Sequence, residues 1–473
     1  MAIAEQNTGG LLAGFETLNA TRHTQAQKGR ELSSSLEKKA EVELSANSPD
    51  DAVMTLVSAL IAEPGRASII HKIGKCLEVM GEGEEATACY RGAIPDRLNS
   101  RYFNADEVSA LVKGAADCDC VTVLKGHEKQ SIELKPPVRN DTQKKYGQFS
   151  YAKTEADITF CTVASQGSVW FDGFNTVAFD GSDNIIRDHL RGNEFACYST
   201  IRNTQAFEID GSVCFLDGRS SSIYYHWMLD ILPKIGVIQK TGIELNDIDY
   251  FVVNAKSGFQ KESLRLLGIN EDRIIYSAGS QYFRATEMII PYLSNYLGDR
   301  VYHGLGIGMG SWIPKYLQQE FAPAKPIASK KSRVYISRST RGSRNISNES
   351  EIKSLLALRG FETVEFENLS IQEQAELMSG AEVVVGVHGA GFTNLSFCQA
   401  GTKVVEIFGD YIVPCYWALS TVAGLDYAQF MAESAIPENT HSDNPGAKVT
   451  VLRDSEIYVD AQCFSLYLDT LLG

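Results

Sequence analysis

Four groups of side chains in this sequence can bind or move charge. The block His388-Gly389-Ala390-Gly391-Phe392-Thr393-Asn394 sets an imidazole, a hydroxyl and a carboxamide around a run of small residues. Small residues let a backbone approach a ligand closely. A helix opening beyond them offers N–H groups and a positive dipole end suited to phosphate. His388 can donate to an anionic oxygen, and Thr393 can add a hydroxyl. A tight strand-to-helix turn would also use the glycines, but it has no need of the adjoining His and Thr. Ser337-Arg338, with Arg341 and Arg344, form a basic cluster; guanidinium groups grip diphosphates in two-pronged fashion. The plain alternative is a solvated arginine loop. Glu406 interrupts the apolar run Val404-Val405-Glu406-Ile407, where a carboxylate can bond a ribose diol or sit in a salt bridge. In Tyr224-Tyr225-His226-Trp227-Met228-Leu229-Asp230, the spacing puts His226 and Asp230 on one helix face. The pair can serve as base and orienting carboxylate, as metal ligands or as a structural contact. A metal needs a third ligand that the surroundings do not supply, so no metal is expected.

These groups need elements to hold them. Val334-Tyr335-Ile336-Ser337, Thr363 to Phe366, Glu382 to Val387 and Lys403 to Phe408 read as strands. Glu349 to Leu358, after Asn348 as N-cap, and Ile371 to Met378, after Ser370, read as helices between them. The continuous apolar run 382–387 is of the buried, parallel type, and a helix should open over Gly391 to Cys398. In parallel sheets, ligands sit beyond the carboxyl ends of strands, where Arg338 and His388 fall. A similar alternation precedes it: an apolar helix from Ile223 to Ile238, strands at 250–253 and 273–276, and a helix at 260–267 ended by Gly268. Pro291 to Pro326, with Gly304, Gly306, Gly308 and Gly310, suits an interdomain crossing.

Upstream, residues 118–217 carry β-branched and aromatic runs broken by Gly, Asn and Asp, predicting a β-rich layer. Ala52, Leu56 and Ala59 are echoed 34 residues later by Ala86, Tyr90 and Ala93, around Ile70, Ile73, Gly74, Leu77 and Gly81. That pattern resembles a tetratricopeptide repeat. Fewer than three repeats are rarely stable alone, so this part should lean on the rest. The expected divisions are a polar tail or helix at 1–45 and a repeat-like helical segment at 46–115. A β-rich layer with an acceptor lobe follows at 116–310, and a nucleotide-sugar-binding lobe at 311–473.

The 473 residues carry 59 acidic and 44 basic side chains, a net charge of −15. That balance works against a phosphate backbone as partner, and no nucleic acid is expected. Residues 1–20 lack the basic start and apolar core of a secretory signal, and no run approaches the ~20 apolar residues of a membrane span. Ten scattered cysteines without a CxxC read as reduced core thiols, which points to the cytoplasm.

Together, Tyr225-His226-Trp227-x2-Asp230, Tyr335-Ile336-Ser337-Arg338, Asn348-Glu349, the 388–394 block and Val404-Val405-Glu406-Ile407 resemble glycosyltransferase family 61. The resemblance covers residues 215 to 430, with Phe392 in place of a frequent Leu. It includes plant xylosyl- and arabinosyltransferases, animal O-linked N-acetylglucosamine transferases and bacterial capsule enzymes. It implies an α/β protein of GT-B-like fold, with two doubly wound Rossmann-like lobes facing a cleft. It also implies inverting, metal-independent transfer from a nucleotide sugar, UDP-linked by preference, with no cofactor. The hydroxyl acceptor would be a glycan or glycolipid, in bacterial polysaccharide synthesis. His226 or Asp230 would be the base. Ser337, Arg338, Arg341, Arg344, His388, Gly389, Ala390, Gly391, Thr393, Asn394 and Glu406 would bind the donor. The repeat-like helices offer a surface for a protein partner or self-association. Two other readings compete: a non-catalytic scaffold, and a dinucleotide-dependent oxidoreductase. The Gly304–Gly310 run does not fit G-x-G-x-x-G, which weighs against the oxidoreductase.

Overall fold

A computed structural model describes residues 27–63, 66–90, 94–95, 98, 105–140, 149, 152–173, 175–191, 197–198, 201, 204–218, 220–277, 281–294, 307–322, 332–338, 344–434 and 455–473. Arg341, Gly304, Gly306 and the first part of the polar tail lie outside the described residues; 27–45 is helical.

Among the described residues the first sheet has ten strands and is mixed. Strands β1 (Phe160–Ser165) and β2 (Ser168–Phe171) are followed by β3 (Phe207–Phe215), β4 (Tyr250–Val253), β5 (Ile274–Tyr276) and the long β6 (Gln281–Tyr292). One edge of β6 pairs in parallel with β3, which continues in parallel through β4 and β5. Its other edge takes β1 and β2, both antiparallel, along successive halves. This corrects the expectation of a doubly wound first lobe. The predicted β-rich layer is not separate, because Val121–Lys125, β1, β2 and Thr176–Phe179 extend the same sheet. Strands joined by short turns, such as β2 and Thr176–Phe179, have no room for the crossover that parallel pairing needs.

The second sheet is parallel throughout. It contains β7 (Ser332–Ile336), β8 (Phe361–Val364), β9 (Ala381–Val387), β10 (Lys403–Phe408) and β11 (Asp426–Met431). Their order is β8-β7-β9-β10-β11, closed on the outer edge by Val138–Arg139. Helices α1 (Glu349–Ala357), α2 (Ile371–Ser379) and α3 (Cys415–Ala423) connect them. α2 begins with a capping box: Ser370 and Glu373 bond each other's backbone N–H groups at 3.2 and 2.8 Å. Asn348 makes no such cap on α1. Its amide donates instead to Glu351 and to the Val459 carbonyl, tying α1 to the C-terminal segment. From β7 the chain turns to one side for β8 and then crosses to the other for β9. Strand order therefore reverses between β7 and β9, and a crevice opens at their carboxyl ends.

Helices Pro49–Ala62, Ala67–Val79 and Gly83–Tyr90 pack on one another through Ala52, Leu56, Ile73, Leu77 and Ala86. Their core continues into Trp170, Val177 and Phe179 of the first sheet, so they rest on it. A Cβ at Gly74 would lie 2.9 Å from the Tyr90 ring, a close approach that needs glycine. No helix among the described residues is long and apolar enough to cross a membrane. The ten cysteines are free thiols, with Cys120 and Cys463 exposed and the rest buried.

His189 is enclosed beneath the first sheet, with Nε2 2.7 Å from the Thr162 hydroxyl. Burial, helped by the charges of Lys234 and Arg191, pushes its pKa down to about 3 from 6.5. The unfolded chain therefore takes up this proton first. The stability it contributes is present above pH 6.5 and is lost as the pH falls towards 3. Between pH 7.5 and 5 this amounts to about 2 kcal/mol. Denaturant unfolding of His189→Gln should show a pH slope smaller by that amount than the parent's; equal slopes would contradict the assignment.

Candidate active site

The crevice at the ends of β7 and β9 is built by close backbone contact. β9 carries bare Val and Gly faces, and Gly386 lies against the Phe392 ring, where a Cβ would come within 2.9 Å. Beyond β9, the His388 N–H continues the ladder to Ile407 at 3.0 Å. Gly389 then passes under Arg338: a Cβ there would fall 1.8 Å from Arg338 Nη1. The guanidinium from the end of β7 and the glycine loop from the end of β9 are thus in direct contact. Ser337, next to Arg338, donates to Glu349 Oε1 at 2.8 Å; Tyr335 donates to the same oxygen at 3.0 Å. Glu349 in this way locks the end of β7. Arg344 sits at φ +55°, a conformation uncommon outside glycine, with its guanidinium 5.4 Å from the Tyr411 ring centre. A recess at this edge is lined by Arg344, His388, Asp410 and Tyr411.

His388 is held on both sides. Its Nδ1 lies 2.5 Å from Glu406 Oε1, and its ring stacks on Phe408 with centres 5.3 Å apart. The other oxygen of Glu406 accepts from the Tyr427 hydroxyl. Glu406 is fully buried with a partner on each oxygen, so the structure shows the internal contact that was the alternative to a ribose diol. The Glu406 carboxylate orients His388. Removing His388 would leave buried Glu406 with the Tyr427 hydroxyl alone of these two partners.

The segment after Gly389 is a 3₁₀ stretch, Ala390–Phe397, where an α-helix was expected. Such runs seldom exceed three or four residues, and this one is held by its side chains. Phe392 and Leu395 enter the core, and Asn394 is fully buried. The Asn394 amide donates to Gln374 at 2.7 Å, and its carbonyl accepts from the Tyr224 hydroxyl at 2.7 Å. Asn394 and Thr393 (1% exposed) therefore belong to the support of the loop, not to its open face.

Tyr224 also opens the helical segment 224–240 that carries the other candidate group. Trp227 docks it on the first lobe by donating to Ser263 at 2.8 Å. Trp227–Ile231 is a π turn, and Leu232 bonds back to Trp227. Pro233 follows and has no N–H for the carbonyl four residues back, which accounts for the widened turn. His226 and Asp230 span this turn, with Nδ1 2.6 Å from Asp230 Oδ2, both side chains partly open to solvent. An ionised carboxylate only accepts, so Nδ1 carries the hydrogen and Nε2 is the nitrogen suited to take a proton. Among the described residues, no group of three or more His, Cys, Asp or Glu side chains could hold a metal ion.

The two halves meet. Tyr225 packs edge-on against Tyr416 of α3, with centres 5.6 Å apart, and Tyr416 lies 5.3 Å from His388. Of the residues singled out from sequence, Ser337, Arg338, Arg344 and 388–391 cluster at the crevice, with His226 and Asp230 across this aromatic contact. Tyr416, Tyr427 and Gln374 were missed, and Glu349 stood in the quoted motif without a role. Tyr427 lies opposite Val404 in the β10–β11 ladder, two residues from Glu406 and on the same face, a register that only the fold supplies.

Residues 224–405 match the family described as Glycosyltransferase 61. A 113-residue stretch is 34% identical to protein O-linked-mannose beta-1,4-N-acetylglucosaminyltransferase 2 of Canis lupus familiaris, covering 22% of this chain and 19% of that protein. Over 108 residues the chain is 29% identical to the EGF domain-specific O-linked N-acetylglucosamine transferase of Drosophila melanogaster, covering 22% and 21%. The chain spans about a fifth of the length of these curated relatives. The match opens on Tyr224, runs through Arg338 and the 388–394 block, and so takes in both halves of the site. On that ground residues 224–405 are similar to glycosyltransferase family 61.

Proposed function

We propose that the chain is an inverting glycosyltransferase of GT-B-like arrangement that moves a sugar from a nucleotide donor, UDP-linked by preference, to a hydroxyl acceptor. The acceptor is a glycan or glycolipid. The observation that carries this reading is the Arg338 guanidinium resting on Gly389 at the crevice between β7 and β9. A diphosphate seated there would meet Arg338, Arg344, His388 and the first N–H groups of the 390–397 turn. These groups would stabilise charge on the departing diphosphate, the work a metal does in other transferases. Across the aromatic contact, His226 would remove the proton from the acceptor hydroxyl, with Asp230 holding its ring. The N-acetylglucosaminyl transfer named for the relatives makes UDP-N-acetylglucosamine the first donor to try. The free thiols favour a reducing compartment.

A thermal-shift screen with UDP, GDP, CMP and NAD, with and without EDTA, tests the donor site. A ligand that binds the folded state raises its apparent stability. A shift with one nucleoside phosphate that survives EDTA and disappears in Arg338→Ala supports the reading. No shift with any of them favours a non-catalytic scaffold, and a shift with NAD alone favours an oxidoreductase.

A further inference from the structure

Between the two halves of the site runs a line of four aromatic rings from different parts of the chain. The His226 ring meets Tyr225 edge-on at 5.1 Å. Tyr225 meets Tyr416 edge-on at 5.6 Å, and Tyr416 meets His388 at 5.3 Å. Tyr416 also touches Phe392 at 5.5 Å, just beyond the Gly389 turn. These separations are those of favourable aromatic pairs, and the edge-on geometry sets ring orientation as well as distance. Tyr416 is nearly fully buried. Burial keeps its phenol neutral, so it serves here as a ring and a hydrogen-bonding group, without charge.

We infer that Tyr416 is a positioning residue shared by both halves of the site: it fixes His388 directly and, through Tyr225, the ring of His226. The inference rests on the donor and base roles proposed above. Neither tyrosine touches a reacting atom in that scheme. Their part is to keep the proton acceptor on one lobe in register with the diphosphate site on the other, where small displacements are costly.

Two readouts test this. In the ligand-free protein, the ring ¹⁵N resonances of His226, assigned by loss in His226→Ala, should shift in Tyr416→Leu and in Tyr225→Leu. In Tyr416→Phe, which keeps the ring, they should stay in place. Under turnover, Tyr225→Leu should lose about tenfold in kcat with donor KM unchanged. Tyr416→Leu should lose kcat and also raise donor KM because it frees His388 as well, and Tyr416→Phe should recover most of both. A purely structural pair would lower the unfolding midpoints of the leucine variants without this difference between the two positions. Unmoved His226 resonances in Tyr416→Leu, or full kcat in Tyr225→Leu, would overturn the inference. Moved resonances in a protein that binds no nucleotide would leave the tyrosine link standing and remove the donor-site reading instead.

Discussion

His226→Ala is expected to reduce kcat by about 10²- to 10⁴-fold, the range that a positioned general base contributes. Donor affinity should hardly change, because His226 lies on the 224–240 segment and Arg338 and Gly389 lie at the ends of β7 and β9. Asp230→Asn should also depress kcat, since an amide facing Nδ1 no longer enforces the tautomer that a carboxylate 2.6 Å away enforces. If the two act as one unit, the double variant will lose little beyond the more damaging single one. Initial rates at saturating donor check this. Full turnover in both single variants would remove the pair from the chemistry.

Gly389→Ala should weaken binding of the donor diphosphate by about tenfold or more. The new methyl would occupy a point 1.8 Å from Arg338 Nη1, so the guanidinium must leave its seat. A lost charge-assisted bond to a ligand is worth at least that factor. Folding should change little, because the displaced atoms are the end of a flexible, partly exposed side chain. Arg338→Ala should give the same loss, and the double variant no further loss, as expected of two changes acting on one contact. Calorimetric titration with UDP measures all three. Parent-like affinity in Gly389→Ala would mean that the guanidinium does its work elsewhere.

Strands β7 to β10 of the second sheet were legible as runs of strand-forming residues separated by helical patterns. Val383–Val387 admits few other readings, and Ser370-x2-Glu373 marks the start of α2. The location of the candidate donor site followed, because strand ends in such a sheet are where chain and ligand meet. The mixed character of the first sheet was hidden. Strand type shows in local alternation, but the choice of a partner on each edge of β6 depends on residues more than 100 positions apart, as between Cys161 and Pro291. The role of Glu406 was hidden for a similar reason. A lone carboxylate in an apolar strand invites a ligand until Tyr427, on the next strand, is seen to fill its second oxygen. Tyr416 reads as an ordinary core aromatic, and only the fold brings it between Tyr225 and His388.

The measurement that bears most directly on the proposed transfer is nucleotide release from UDP-N-acetylglucosamine, followed with and without hydroxyl acceptors, for the parent, His226→Ala and Arg338→Ala. The parent should release UDP in an acceptor-dependent way. His226→Ala should bind donor but release almost none, and Arg338→Ala should lose donor binding itself. Acceptor-dependent release at the parent's rate in both variants would contradict the placement of donor site and base on either side of the Tyr225–Tyr416 contact.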